Sequence, residues 1–161
     1  MSLGSHNLRD GEDTALGPGA ALLIGTLRRI AAGRECAALS RRDFAMAFPG
    51  DADEVFVTFR AFLQSLAHAG RRKLRVAPPG SGRATPDETS IIALIAAAQT
   101  GDAARLDAHL CWLARGEAQL LVAVMARALA TALGVHGQWL RSDEAPPPAR
   151  ASGGKPCLSR C

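Results

Sequence analysis

The chain contains one long apolar segment, residues 117–137 (EAQLLVAVMARALATALGVHG), and this segment restricts the fold more than any other. It is long enough for about six helical turns, and its only acidic or basic side chains besides His136 are Glu117 and Arg127. A helix that is apolar over most of its circumference is usually the central member of a packed bundle. We therefore predict that this helix lies at the centre of the domain.

Composition favours an all-α fold. Aromatic residues make up only 4% of the 161 residues and tyrosine is absent, whereas alanine and leucine are abundant. Strand-rich folds depend on β-branched and aromatic side chains, so this composition suits closely packed helices. We predict one compact helical bundle over residues 18–140, with about five helices and one short, extended, basic connector.

The helices are predicted from apolar spacing and from end signals. Thr85-Pro86-Asp87-Glu88 has the cap hydroxyl, the proline and the acid of a capping box. Gly101 followed by Asp102 separates two helices, and Gly116 separates the next pair. The five helices are predicted within residues 18–33, 51–70, 86–100, 102–115 and 117–136, with a short helix or helical turn between 34 and 50, where Ser40 and Asp43 resemble a second capping box.

The two ends lack helical periodicity. Residues 1–17 are predicted to form a flexible arm, and residues 141–161, rich in Pro, Gly and Ser, a disordered tail. The acidic residues of the arm do not fit a secretory signal. Cys111 is interpreted as a small apolar core residue, and the four cysteines do not suggest a disulfide framework. We expect a cytoplasmic protein in a reducing compartment.

A basic segment interrupts the helices. Residues 71–83 carry five cations and no acid: Arg71, Arg72, Lys73, Arg75 and Arg83. Leu74 and Val76 alternate with Lys73 and Arg75, which indicates a short strand or, as we prefer, an extended connector. The cations could contact an anion or a nucleic acid. However, no aromatic residue lies between Gly70 and Ile91 to stack on bases, so we favour a solvated connector whose charges protect an exposed edge.

Two residues suggest a polar site within the bundle. Arg127 lies in the middle of the apolar segment, and if it is buried it needs an acidic partner such as Glu88 or Asp107. His109 lies on the apolar side of the preceding helix. The alternative is that Arg127 belongs to a narrow polar stripe that faces water or a partner, together with Glu117, Thr131 and Gln138.

Other site chemistry is not indicated. The sequence lacks metal-ligand spacings such as CxxC or HExxH, nucleophile motifs and phosphate-binding glycine loops. We therefore assign no catalytic, cofactor or metal residues and lean against an enzyme. The apolar segment is about long enough to span a bilayer, but Arg127 near its centre would cost roughly 2.5–3.5 kcal/mol there. We predict that the protein does not enter a membrane.

The run RRKLRVAPPGSGRATPDE, followed by the helix end ALIAAAQTGD, resembles segments of small uncharacterised helical proteins of alphaproteobacteria. This resemblance covers residues 55–115 and implies a bacterial, cytoplasmic helical protein without assigning an activity or a site. Our leading hypothesis is a non-enzymatic interaction or regulatory module that acts through a helical surface, with a protein partner or as a homodimer. If residues 72–77 form a strand, its expected mate is the same strand in a second copy. The alternatives are a nucleic-acid-associated protein that uses residues 71–83 and a bundle that binds a small molecule.

Overall fold

The computed structural model describes residues 16–33 and 37–141. The proposed arm and tail lie almost entirely outside these ranges, as do Cys36, Cys157 and Cys161. The described residues form six helices: α1 (Pro18–Ala31), α2 (Ala37–Ala47), α3 (Ala52–Ala69), α4 (Pro86–Thr100), α5 (Ala103–Leu113) and α6 (Ala118–Val135). The all-α prediction is confirmed, and the short helix that we expected before Pro49 has three full turns.

The extended connector between α3 and α4 is also confirmed, because residues 73–78 belong to no helix or ladder. Among the described residues, the one isolated β-bridge joins Gly70 to Ala114. This bridge holds the start of the connector against the end of α5. Backbone pairing of the connector region with the rest of the described chain is therefore limited to this single point, in keeping with the prediction that a lone strand has no mate in its own chain.

The most enclosed helix is α4 rather than α6. All residues from 91 to 97 are buried, whereas α6 buries one face and exposes the other. α6 packs against α3, α4 and α5, so it does occupy a central place in the packing. Its outer face is nevertheless exposed, so the helix is central to the packing without being enclosed.

Phenylalanine rings fill the space between α2 and α3. Phe44 and Phe48 lie one turn apart on α2 with ring centroids separated by 5.5 Å, a contact that their spacing of four residues favours. Phe56 meets Phe44 edge to face at 5.1 Å. On the far side, the His136 ring contacts Phe48 at 5.3 Å, and its Nε2 lies 3.0 Å from Asp51. The aromatic cluster thus joins α2 and α3 to the end of α6.

Two predicted helix ends differ from expectation. α2 begins at Ala37, so Ser40 lies inside it rather than at its cap, and the buried Ser40 hydroxyl finds no partner among the described residues. Gly70, which follows α3, has a φ of −56°, whereas a glycine that ends a helix commonly adopts the left-handed conformation. The bridge to Ala114 explains this, because the chain leaves α3 in an extended direction. Gly101, by contrast, ends α4 with a φ of +71°.

Candidate interaction surfaces

The capping box at the start of α4 forms as predicted, but its acids do more than cap the helix. The Thr85 hydroxyl accepts a hydrogen bond from the Glu88 N–H at 3.2 Å, and Glu88 accepts one from the Thr85 N–H at 2.7 Å. Both Asp87 and Glu88 are fully buried. Buried carboxylates require counter-charges, and two distant arginines supply them.

Arg28 of α1 is the counter-charge of Glu88. Its Nε and Nη2 donate to the two Glu88 oxygens at 2.7 and 2.9 Å. Nη1 donates to the Ser81 carbonyl at 2.6 Å, and Nη2 also reaches the Arg83 carbonyl at 2.8 Å. The guanidinium is buried along with its partner. One side chain therefore joins α1, the loop before α4 and α4 itself.

Arg72 of the connector is the counter-charge of Asp87. Its two terminal nitrogens donate to the two carboxylate oxygens, each at 2.6 Å. The Arg75 N–H and the Trp112 indole N–H also donate to Asp87, at 2.7 and 3.3 Å. The guanidinium carbon of Arg72 lies 5.5 Å from the Trp112 ring centroid, within range of a cation–π contact. This second pair holds the connector against α4 and α5.

Electrostatics keep both carboxyl groups ionised. Burial alone would raise the pKa of Asp87, but the hydrogen bonds from Arg72 and from the Arg75 N–H outweigh it and place this pKa below its ordinary value. The same balance, with Arg28 and the N–H groups of Thr85 and Ala77 as donors, lowers the pKa of Glu88. Every carboxylate oxygen here has a donor, so these acids act as structural anchors. They are not poised for proton transfer.

The predicted basic segment contains two groups of cations, those whose side chains are bound within the protein and those whose side chains are free of such bonds among the described residues. Arg72 is committed to Asp87, and the Arg71 Nε donates to the Ala114 carbonyl at 3.1 Å. The side chains of Lys73, Arg75 and Arg83 are exposed and make no hydrogen bond or ion pair with another described residue. Of the five residues that we predicted to contact an anion, only these three therefore have side chains available for that contact.

The connector presents one occupied and one open backbone edge. On the α4 side, Arg75 accepts from the Thr85 hydroxyl at 2.6 Å as well as donating to Asp87, and Ala77 donates to Glu88 at 3.1 Å. In an extended chain, the polar groups of alternate residues point in opposite directions. Those of Leu74 and Val76 therefore point away from α4, and they form no hydrogen bond within the described part of the chain.

A groove lies beside this connector. It has a volume of about 480 Å³ and separates the end of α1 from residues 76–79. Its lining is apolar apart from Arg28, with Ala31 and Ala32 on one side and Val76 and the two prolines on the other. Since Arg28 is already bound to Glu88, the groove offers apolar contact and an extended backbone. It does not offer convergent polar groups of the kind that select a small molecule.

Arg127 and His109 do not form the buried polar site that we predicted. Arg127 is exposed and lines a small recess of about 140 Å³ beside Asp102 and Leu106. Its proposed partner Glu88 is bound to Arg28 instead. The arginine lies on the outer face of α6, which agrees with the alternative of a solvent-facing stripe. No hydrogen bond or ion pair among the described residues joins it to His109.

His109 itself is buried, and neither of its ring nitrogens has a partner among the described residues. Burial lowers the pKa of its imidazole, and the nearby charge of Arg105 lowers it further. The ring is therefore neutral at pH 7. Among the described residues no acid is hydrogen-bonded to the ring, and His109 lies in the core as a buried polar residue.

The outer face of α6 is an exposed surface that none of the contacts above explains. Its exposed positions repeat at alternating intervals of four and three residues, and they are Glu117, Leu121, Val124, Ala128, Thr131 and Val135. Leu121 and Val124 are 55% and 54% exposed, and the flanking Leu120 is 64% exposed. Such spacing forms a continuous seam along one side of a helix. We call these six residues with Leu120 and Arg127 the α6 seam.

The length and composition of α6 also satisfy the minimum for a membrane-crossing helix, a test that core helices of soluble proteins pass as well. Seven of its residues face the protein interior.

No group of three His, Cys, Asp or Glu side chains within residues 16–33 and 37–141 is arranged to hold a metal ion. Comparison of the chain with models of protein families, with curated proteins and with solved structures gives no match.

The sequence reasoning missed three features. Arg28 was overlooked, although its position four residues after Ile24 places it on the buried face of α1. The exposure of the apolar seam residues Leu120, Leu121 and Val124 was missed, because the apolar positions of this helix were assumed to be buried. Cys111, which we interpreted as a buried core thiol, is half-buried and disulfide-bonded. Its position within a helix gave no signal of this.

Proposed function

We propose that the protein is a self-associating interaction module whose α6 seam packs against the α6 seam of a second copy. The observation that supports this proposal is the exposed apolar stripe on α6. Exposed aliphatic residues are ordinary when scattered, but a contiguous row of them marks a contact surface. Leu120, Leu121 and Val124 form such a row on two successive turns.

The chain's own terminal segments are poor candidates for covering this seam. Residues 1–15 contain three large aliphatic side chains, Met1, Leu3 and Leu8, and residues 142–161 contain one, Leu158. Neither segment has the three-to-four spacing that would match a helical seam. A second α6 does have it, and homodimers with two-fold symmetry use the same patch on both subunits.

Charge complementarity favours an antiparallel pair. Glu117 and Arg127 are the only charged residues of the seam, and neither has an ion-pair partner in the described part of the chain. They lie ten residues apart, about 15 Å along the helix. With the two-fold axis near Leu121 and Val124, Glu117 of each copy lies opposite Arg127 of the other, so two ion pairs flank the apolar contact.

Charge reversal tests this arrangement. In Arg127→Glu, two carboxylates face each other on both sides of the axis, so the dimer should weaken by about tenfold or more. In the double variant Glu117→Arg/Arg127→Glu, opposite charges face each other again, so the dissociation constant should return to near the wild-type value. Sedimentation velocity over a range of concentrations measures it. A double variant that is as weak as the single one would contradict the antiparallel pairing.

A further inference from the structure

We propose that the open edge of the connector, residues 73–77, is a binding site for an acidic extended peptide of a partner protein. The peptide would add a strand beside the connector and place side chains in the groove between the connector and α1. This site is separate from the α6 seam and does not depend on self-association. Backbone pairing at an exposed edge is a common mode of peptide recognition.

The first support is the fixed shape of the connector. The Arg72–Asp87 pair, the Arg75 N–H and the Ala77 N–H attach it to α4 at three successive points. The backbone is therefore held extended before any partner arrives, which removes much of the entropic cost of ordering a binding strand. The N–H and C=O groups of Leu74 and Val76 remain available on the other edge.

The second support is the groove. Val76 belongs to the connector and also lines the groove. Ala31, Ala32, Pro78 and Pro79 complete the apolar lining of the groove. An extended peptide places alternate side chains on opposite faces, so every second side chain could enter an apolar groove while the others stay in water. The volume of about 480 Å³ has room for one or two aliphatic side chains.

The third support is charge. Lys73, Arg75 and Arg83 are exposed without partners among the described residues, while Asp87 and Glu88 are buried and already neutralised. The surface of the connector is therefore positive, which favours an acidic occupant. It disfavours a second copy of the connector, because antiparallel pairing around Leu74 would place Lys73 and Arg75 opposite each other's cations. Nucleic acid is less suited, since residues 70–90 contain no aromatic side chain for stacking.

The backbone contribution can be tested with a proline. Val76→Pro removes the outward N–H of residue 76 and leaves the inward N–H groups of Arg75 and Ala77 intact. Its matched control, Val76→Ala, keeps the N–H and shortens the side chain. The probe is a fluorescein-labelled peptide of alternating Glu and Val, and fluorescence anisotropy measures its binding to the full chain at low salt. Val76→Pro should weaken binding about tenfold relative to Val76→Ala, because the pairing loses a hydrogen bond and gains a steric block.

A second matched pair of variants tests the contribution of charge to peptide binding. It also tests the proposal if the proline variant fails to fold. Lys73→Glu and Arg42→Glu change the net charge equally, but Arg42 lies exposed on α2. Lys73→Glu should weaken peptide binding at least fivefold more than Arg42→Glu does. The proposal is overturned if the peptide does not bind at millimolar concentration, if either matched pair behaves alike, or if an oligothymidine displaces the peptide and binds more tightly.

Discussion

Replacement of Arg28 by methionine should destabilise the protein more than any surface substitution, because it leaves the Glu88 charge buried without its counter-charge. Glu88 would retain two donors, the N–H groups of Ala77 and Thr85. Removing one partner of a buried ion pair costs about 3–5 kcal/mol. The Ser81 carbonyl also loses its donor, although its more exposed position allows water to replace it, and the Arg83 carbonyl keeps only the Ser81 hydroxyl at 3.2 Å.

The neighbouring residue supplies a matched control. Arg29 pairs with Asp43 at 2.9 Å, but these side chains are 25% and 41% exposed. Exposed pairs contribute about 0–1 kcal/mol, so Arg29→Met should change the free energy of unfolding by no more than that. The two variants remove the same group from adjacent positions of α1. Their difference therefore measures the effect of burial.

Urea denaturation at one protein concentration gives both free energies, and thermal melting gives a second measure. For a domain of this size, the loss in Arg28→Met corresponds to a melting temperature lower by about 10–15 °C. Adding Glu88→Gln to Arg28→Met should restore part of the stability, because it removes the unpaired buried charge. If Arg28→Met and Arg29→Met differ by less than about 1 kcal/mol, the Arg28–Glu88 pair does not anchor the fold.

Two further predictions concern pH. The pKa of His109 is lowered in the folded protein by burial and by Arg105, so the unfolded chain binds a proton first as pH falls below 6.5. The free energy of unfolding should therefore decline from about pH 6.5 downward. His109→Leu should abolish this part of the decline, and a profile that the substitution leaves unchanged would contradict a buried neutral imidazole. The lowered pKa values of Asp87 and Glu88 give stability that is present above their ordinary values of 3.8 and 4.5 and is lost as pH falls through the lowered folded values. Asp87→Asn should flatten the acid limb of the denaturation profile, and a limb identical to that of wild type would count against the Arg72–Asp87 pair.

Local signals in the sequence predicted the elements well. The Thr85–Glu88 capping box, the connector and the Phe44–Phe48 contact each depend on residues within a few positions of one another. Such features follow from backbone chemistry that does not need tertiary context. The bundle and its helical class were predictable for the same reason.

The contacts that define the surfaces depend on long-range pairing, which no local pattern encodes. Glu88 finds Arg28 across 60 residues, and Asp87 binds both Arg72 and Trp112. Without these contacts, the capping box fully explained the two acids, and Arg72 appeared available to an external anion. Arg127 could not be assigned to the interior or the surface because an apolar helix can be covered on any side. Only the packing of α3, α4 and α5 determines which face of α6 remains open.

Self-association through the α6 seam is tested most directly by glutamate scanning at two valines of equal chemistry. Val124 lies in the seam and is 54% exposed, whereas Val57 lies on α3 and is 62% exposed. Neither substitution buries a charge in the monomer, so both variants should fold. Sedimentation velocity from about 1 to 500 μM should show a concentration-dependent dimer for the wild type and Val57→Glu, and a monomer throughout for Val124→Glu. A wild type that remains monomeric at the highest concentration, or a Val124→Glu variant that dimerises as tightly as Val57→Glu, would contradict the proposal.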